Sequence, residues 1–325
     1  MQRLAKLAIA VLVALVFSLP SRAQSAKLKD LKDIGHRGVG NGLNFYSLEK
    51  EIALGKMLSQ QVESTSRIIH DPVLNEYINR LAQNLVRHSD AHVPFTVKII
   101  DSKLINAEAL PGGFFFVNSG LILAASNEAE LAGPMAHEIA HVANRDGTRQ
   151  MTKAELVNYA TLPLWFVGGI GGFIGRTVAG LAVPMTFLKF DRTDERRADF
   201  LGLEYMYEAG YDPQAFVRFF QQVEATNKQH PGFIARAFET HPPDKSRIKA
   251  AETEIDTVLP PKKQYILDTS EFEQMKARLA ELEQEYNMTN PRGPQRPSLR
   301  HPQQQSRPPK RPTLKRRPDH NDSSH

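Results

Sequence analysis

The spacing of apolar residues changes period along the chain. Ser47 to Ser64 carries Ile52, Leu54, Met57 and Leu58 among polar residues, which predicts a helix. Asp71-Pro72 is a helix-start signal, and Leu74, Tyr77, Ile78, Leu81 and Leu85 mark one face of the helix that follows. From Pro94 to Asp101 the period drops to two, with Phe95, Val97 and Ile99 on one side of a strand. Ile105–Ala109 and Phe114–Val117 read as two further strands, joined across Leu110-Pro111-Gly112-Gly113, a turn by composition. From Asn127 onward the pattern is helical, with Asp212-Pro213 and Ser270-x-x-Glu273 as further start signals. A small sheet ahead of many helices predicts an α+β domain spanning 43–265. A C-terminal amphipathic helix over 266–290, with Met275, Leu279, Leu282 and Tyr286 on one side, is expected to pack against it. No repeat of 30–40 residues is present.

The two ends differ from this body. Arg3 and Lys6 precede an apolar run from Leu7 to Leu19, and Ser21-Arg22-Ala23 supplies small residues for cleavage, so 1–23 reads as a signal peptide. A run of 13 residues is short for a membrane span, which needs about 20, although an uncleaved anchor is the other reading. The signal implies export to an oxidising compartment. With no cysteine, the exported chain has no disulfides and any metal must be held by His and carboxylate. Residues 24–42 read as a polar linker. Residues 291–325 hold eight prolines and nine Lys/Arg against two Asp/Glu, a basic tail that cannot bury a core and is expected to be disordered. With +5 overall, +7 in this tail and +3 before residue 24, the body is left at −5. The pI of 9.3 therefore belongs to the ends, and no nucleic-acid partner is expected. Leu162–Leu188 is apolar but is broken by five glycines between 168 and 175, then by Arg176 and Pro184. It reads as a lid, a membrane-surface contact or a buried hairpin; the segment and the tail are the two candidates for peripheral membrane contact.

The chemistry is concentrated in His137-Glu138-Ile139-Ala140-His141. On a helix, residues four apart share a face, so both imidazoles converge on one metal ion, while Glu138 lies beside them to take a proton from water that the metal activates. Leu131, Met135, Ile139 and Val142 give the apolar stripe of a buried helix around the motif. A catalytic zinc site needs a third protein ligand and an open position. Glu195 and Asp199 also stand four apart, in Arg192–Phe200. Glu195 would ligate, and Asp199 would hydrogen-bond a ligand imidazole. A surface helix laced with Glu/Arg pairs is the alternative for this segment.

H-E-x-x-H followed by E-x-x-A-D-x-x-G resembles the HtpX-like and CAAX prenyl protease family of gluzincin zinc metallopeptidases. Asn106-Ala107-x-Ala109-Leu110-Pro111-Gly112-Gly113 and Val117-Asn118-x-Gly120-Leu121 resemble the strands before that family's active-site helix. Ala209-Gly210-Tyr211-Asp212-Pro213 matches the turn after its third-ligand helix, and Thr240-His241-Pro242-Pro243 with Arg247 resembles its late His-Pro motif. The match runs in order over about residues 45–255, and the signal peptide resembles the periplasmic branch that includes the β-barrel assembly-enhancing proteases. Those proteins usually continue into helical repeats, whereas this chain ends in a basic tail, so a docking role for repeats does not transfer. The resemblance implies a zincin-like fold, one Zn2+ held by His137, His141 and Glu195, and hydrolysis of peptide bonds. Unfolded or misassembled envelope proteins are the expected substrates, with an envelope chaperone or assembly factor holding a structural or latent zinc as the alternative. It also implies that His241 and Arg247 approach the metal, either to stabilise an oxyanion or, for His241, to fill the open position. Phe114–Asn118 is expected to be an exposed edge for an extended substrate or, alternatively, an interior strand. His36, His70, His88, His92 and the tail histidines are expected to be surface residues.

Overall fold

A computed structural model describes residues 31–165, 190–229, 241 and 244–290. The segment expected to be a signal peptide, the start of the expected linker, the apolar run from 166 and the basic tail lie outside the described residues. The first helix, α1 (Leu48–Thr65), is capped by the Ser47 hydroxyl, which accepts from the Lys50 N–H. Strand β1 (Ile68–Ile69) leads to α2 (Pro72–Arg87), where Asp71 accepts from the Leu74 N–H at 2.9 Å and Pro72 takes the first turn. Then come β2 (Thr96–Ile100), β3 (Ala107–Leu110), β4 (Phe114–Asn118) and the short α3 (Ser119–Ala124). The turn between β3 and β4 holds Gly112 and Gly113 at φ 76° and 87°, a region open to glycine at little cost. Helices α4 (Glu128–Ala143), α5 (Asp146–Trp165), α6 (Arg192–Glu208), α7 (Gln214–Gln229), α8 (Lys245–Thr257) and α9 (Ser270–Thr289) complete the described chain. No helix among the described residues is long and apolar enough to cross a membrane.

The sheet order is β1-β2-β4-β3, with β2 and β4 parallel and the other pairs antiparallel. Alternation sends Val97, Ile99, Ala107, Ala109, Phe115 and Val117 into the main core with the apolar faces of α2 and α4. On the other face, Leu110 and Phe116 pack with Leu58 of α1. β4 thus lies inside the sheet, and the expectation that Phe114–Asn118 forms an edge is corrected: the edges are β1 and, beside β4, β3. The chain runs from β2 to the outer position before the glycine turn brings β4 back between the two.

The stretch 31–42, expected as linker, packs on the domain from residue 31. Val39 is buried, and the Arg37 guanidinium is fully enclosed between Asp90 (2.6 Å) and Glu204 of α6 (2.5 Å). These carboxylates lie 53 and 167 residues away, which is why a polar, glycine-rich segment gave no local sign of its place. Residues up to Glu283 belong to one compact unit, into which α9 sends Phe272, Met275 and Leu279.

What positions the site is the contact of α4 with α6. A Cβ on Gly202 would lie 3.0 Å from the His137 backbone nitrogen and 3.1 Å from its Cα. Only hydrogen on that face lets the two helices approach so closely. Gly202→Val should push them apart, destabilising the domain by about 1–3 kcal/mol in urea denaturation and lowering metal retention after dialysis.

Candidate metal centre

Asn127 caps α4 by accepting from the Glu130 N–H, and Asp191 caps α6 by accepting from Thr193 and Asp194. On α4, His137 and His141 are both buried, with their Nε2 atoms 3.1 Å apart. Each ring turns its Nδ1 to a carboxylate: His137 to Asp199 Oδ1 at 3.0 Å, at a bent angle, and His141 to Asp146 Oδ2 at 2.8 Å. Those partners favour N–H at both Nδ1 atoms, so two Nε2 lone pairs face each other, an arrangement that calls for a cation between them. Burial and the neighbouring positive groups hold the His141 pKa well below its ordinary value, so the ring is neutral and able to ligate.

Glu195 completes a triangle, its Oε2 3.6 Å from His137 Nε2 and its Oε1 3.6 Å from His141 Nε2. Ligand atoms about 2.0–2.1 Å from a tetrahedral zinc stand about 3.3 Å from one another, so the spacing and the nitrogen–oxygen donor set fit that ion. His241 stands at the fourth corner, with Nδ1 3.4 Å from His137 Nε2 and 2.7 Å from Glu195 Oε1. The donor atoms of these four residues all lie within 4.8 Å of one another. Burial works to raise the Glu195 pKa, but the hydrogen bond from His241 and the charges of the three imidazoles hold it at about 2. Burial alone would lower the His241 pKa; the charge of Glu138 and the contact with Glu195 raise it to about 9.

Glu138 faces the same space. Its Oε1 is 3.3 Å from His241 Nε2, and its Oε2 accepts from the backbone N–H of Ala109 on β3 at 3.1 Å. Arg247 reaches in from α8, donating through Nε and Nη2 to the two oxygens of Asp199 at 2.7 and 2.6 Å. Its Nη1 donates to the His241 carbonyl at 3.2 Å and touches Glu195 Oε2 at 2.8 Å, a charge contact without hydrogen-bond geometry. Burial would raise the Asp199 pKa, but the Arg247 and His137 contacts keep it far below the carboxylate range. All seven residues singled out in the sequence therefore meet in one buried cluster. Among the described residues His36, His70 and His92 are exposed, and His88 Nδ1 meets only the Asn84 carbonyl of its own helix.

Three contributors carried no sequence signal. Asp146 reaches His141 because Arg145 adopts φ 59°, the one positive φ outside glycine among the described residues. That residue lies just past the α4 C-cap, Asn144, and turns the chain back toward His141. It is held there by an ion pair with Glu51 at 2.9 Å and a bond to the Tyr46 carbonyl at 2.5 Å. Ala109 acts through its backbone. Phe190 stacks on His141 with centroids 4.2 Å apart and covers one side of the site.

Comparison with known proteins agrees with this geometry. The profile of Peptidase family M48 matches residues 70–255, more than half of the chain. The chain is 30% identical over 228 residues to the beta-barrel assembly-enhancing protease of Escherichia coli K12, covering 66% of this chain and 45% of that protein. It is 34% identical over 243 residues, 71% of this chain and 48% of the relative, to a Vibrio cholerae protein provisionally given the same name. It is also 29% identical over 181 residues, 54% of this chain and 51% of the relative, to the mitochondrial metalloendopeptidase OMA1 of Schizosaccharomyces pombe. The chain spans about half the length of the curated relatives it matches. On the family profile and on the convergence of its H-E-x-x-H helix with Glu195, the chain belongs to peptidase family M48.

Proposed function

We propose that this chain is a zinc-dependent endopeptidase. The observation that carries the reading is the convergence of His137, His141 and Glu195 from two helices on one point beside the Glu138 carboxylate. A zinc ion held by these three residues supplies a Lewis acid that polarises a carbonyl and makes water nucleophilic near neutral pH. Glu138 is placed to take the proton of the attacking water and return it to the departing amine. Asp146 and Asp199 fix the two imidazole tautomers, and Arg247 holds Asp199 in place. The β3 edge supports binding of an extended polypeptide by backbone pairing, because the Ala109 N–H points away from β4 toward Glu138. Such pairing reads backbone and suits unfolded chains.

His241 invites a second statement about the same site. Its Nδ1 occupies the fourth corner of the ligand set, where water and substrate would otherwise enter. We read this as the latent arrangement: His241 withdraws before turnover. If His241 never leaves, the site is closed by four protein ligands, which is the pattern of a structural zinc and of an assembly factor. The names of the bacterial relatives, together with the N-terminal signal, support a place in the cell envelope acting on unfolded or misassembled exported proteins.

Glu138→Gln should keep one zinc per chain by elemental analysis yet lower cleavage of unfolded casein by about 10²–10⁴-fold; undiminished cleavage removes Glu138 as the base. Asp146→Ala should weaken zinc binding about 10–100-fold in a chelator competition, with Asp146→Asn intermediate, since the amide keeps an acceptor oxygen for His141. His241→Ala should retain zinc and cleave casein several-fold faster than wild type. Slower cleavage would instead assign His241 to the oxyanion.

A further inference from the structure

Glu108 is the one acidic residue of β3, and the chemistry above makes no use of it. Its cross-strand partner is Phe116, so its side chain shares the sheet face of Leu110 and Phe116. Phe190 packs on that same face and stacks in turn on His141, which places Glu108 on the cleft side of the edge strand. The next residue, Ala109, gives its N–H to Glu138. Glu108 is half-buried and makes no hydrogen bond or ion pair with any described residue. The other carboxylates of the cleft are all matched: Asp199 by Arg247, Asp146 by His141 and Asn144, Glu195 by His241, and Glu138 by the Ala109 N–H.

A partly desolvated carboxylate without a partner is destabilising. Burial, and then the negative charge of Glu138, push the Glu108 carboxyl up to about 7 against the weaker opposing pull of His241, a shift that a cation placed directly beside it would reverse. An extended polypeptide paired along β3 sends alternate side chains to opposite sheet faces, so one of them falls on the Glu108 side. We propose that Glu108 forms a subsite for a lysine or arginine side chain of the bound polypeptide, close to the scissile bond. This rests on the endopeptidase reading and on β3 as the strand that pairs with substrate. It gives a backbone-reading cleft one side-chain preference, directed at cationic segments.

The test uses the full zinc-loaded chain. Cut sites in denatured casein are mapped by mass spectrometry for wild type, Glu108→Gln and Glu108→Lys, with Glu138→Gln as the blank. Wild type should show Lys or Arg enriched at one position beside the cut. Glu108→Gln should lose the enrichment, and Glu108→Lys should shift it toward Asp or Glu. Identical profiles in all three active proteins overturn the subsite while leaving the peptidase intact. No cut that depends on Glu138 overturns the peptidase reading instead. A second measurement decides Glu108 without turnover. Fluorescence anisotropy follows labelled, unstructured peptides that differ by one arginine or one glutamine, bound to Glu138→Gln protein. The arginine peptide should bind about ten-fold tighter, and the difference should vanish when Glu108→Gln is added. Equal affinities before that change overturn the proposal.

Discussion

The site depends on how closely α4 and α6 can pack. A tetrahedral ligand set tolerates only tenths of an ångström, yet its members come from residues 137, 141 and 195, on separate helices. Gly202 removes the side chain that would hold the helices apart at the level of His137. Around that contact the side chains are small or apolar: Ala136, Ala140 and Ala198 are fully buried, and Leu201 fills the space beside them. The apolar packing supplies the stability, and the polar cluster is carried by it. Buried ionised groups seldom stabilise a fold on net, because desolvation cancels most of their attraction.

That division explains what was legible in the sequence. The helical period of Leu74, Tyr77, Ile78, Leu81 and Leu85 reports burial directly, and all five are buried. The pairs His137/His141 and Glu195/Asp199 could be read because a spacing of four on a helix is itself geometry. The order of strands could not, since a period of two tells which residues face inward and says nothing of which strand has a neighbour. Hence β4 was expected at the edge and β3 takes that place. Asp146 was hidden for a different reason: its approach to His141 requires a left-handed arginine, and nothing in Asn144-Arg145-Asp146 announces one. The backbone donor Ala109 and the Arg37–Asp90–Glu204 pairing depend on contacts between distant segments, which no local pattern records.

The acidic groups also show a division of labour set by their partners. Asp199 receives two hydrogen bonds from a planar guanidinium that is itself fixed by the His241 carbonyl and lies over the Phe220 ring. A carboxylate so held cannot turn, and it stands as a fixed charge 3.0 Å from the His137 Nδ1. Glu138, by contrast, has one backbone donor and one histidine beside it. In the proposed mechanism the rigid carboxylates would orient the imidazoles, and the one held by fewer partners would act as the base.

Charge balance links these roles. Glu195 and Asp199 face the Arg247 guanidinium and Glu138 stands beside His241, while burial pushes the Asp146 carboxyl up to about 7 against the opposing charges of Arg149 and Arg197. With His241 neutral, Glu138, Glu195 and Asp199 against Arg247 would leave a deficit of two charges, which a divalent cation fits; with His241 protonated the deficit falls to one. The same demand is visible in His241, whose pKa rises despite complete enclosure because Glu138 and Glu195 stand beside it. A histidine at the fourth corner therefore satisfies the site in two ways, as a neutral donor to a metal or as a cation between carboxylates. Either way its departure would have a cost, and on the proposed reading a polypeptide paired along β3 would have to offset that cost with contacts of its own. On this electrostatic reasoning, the proposed endopeptidase would have access to its centre governed by what binds at the strand edge as much as by the residues that would hold the metal.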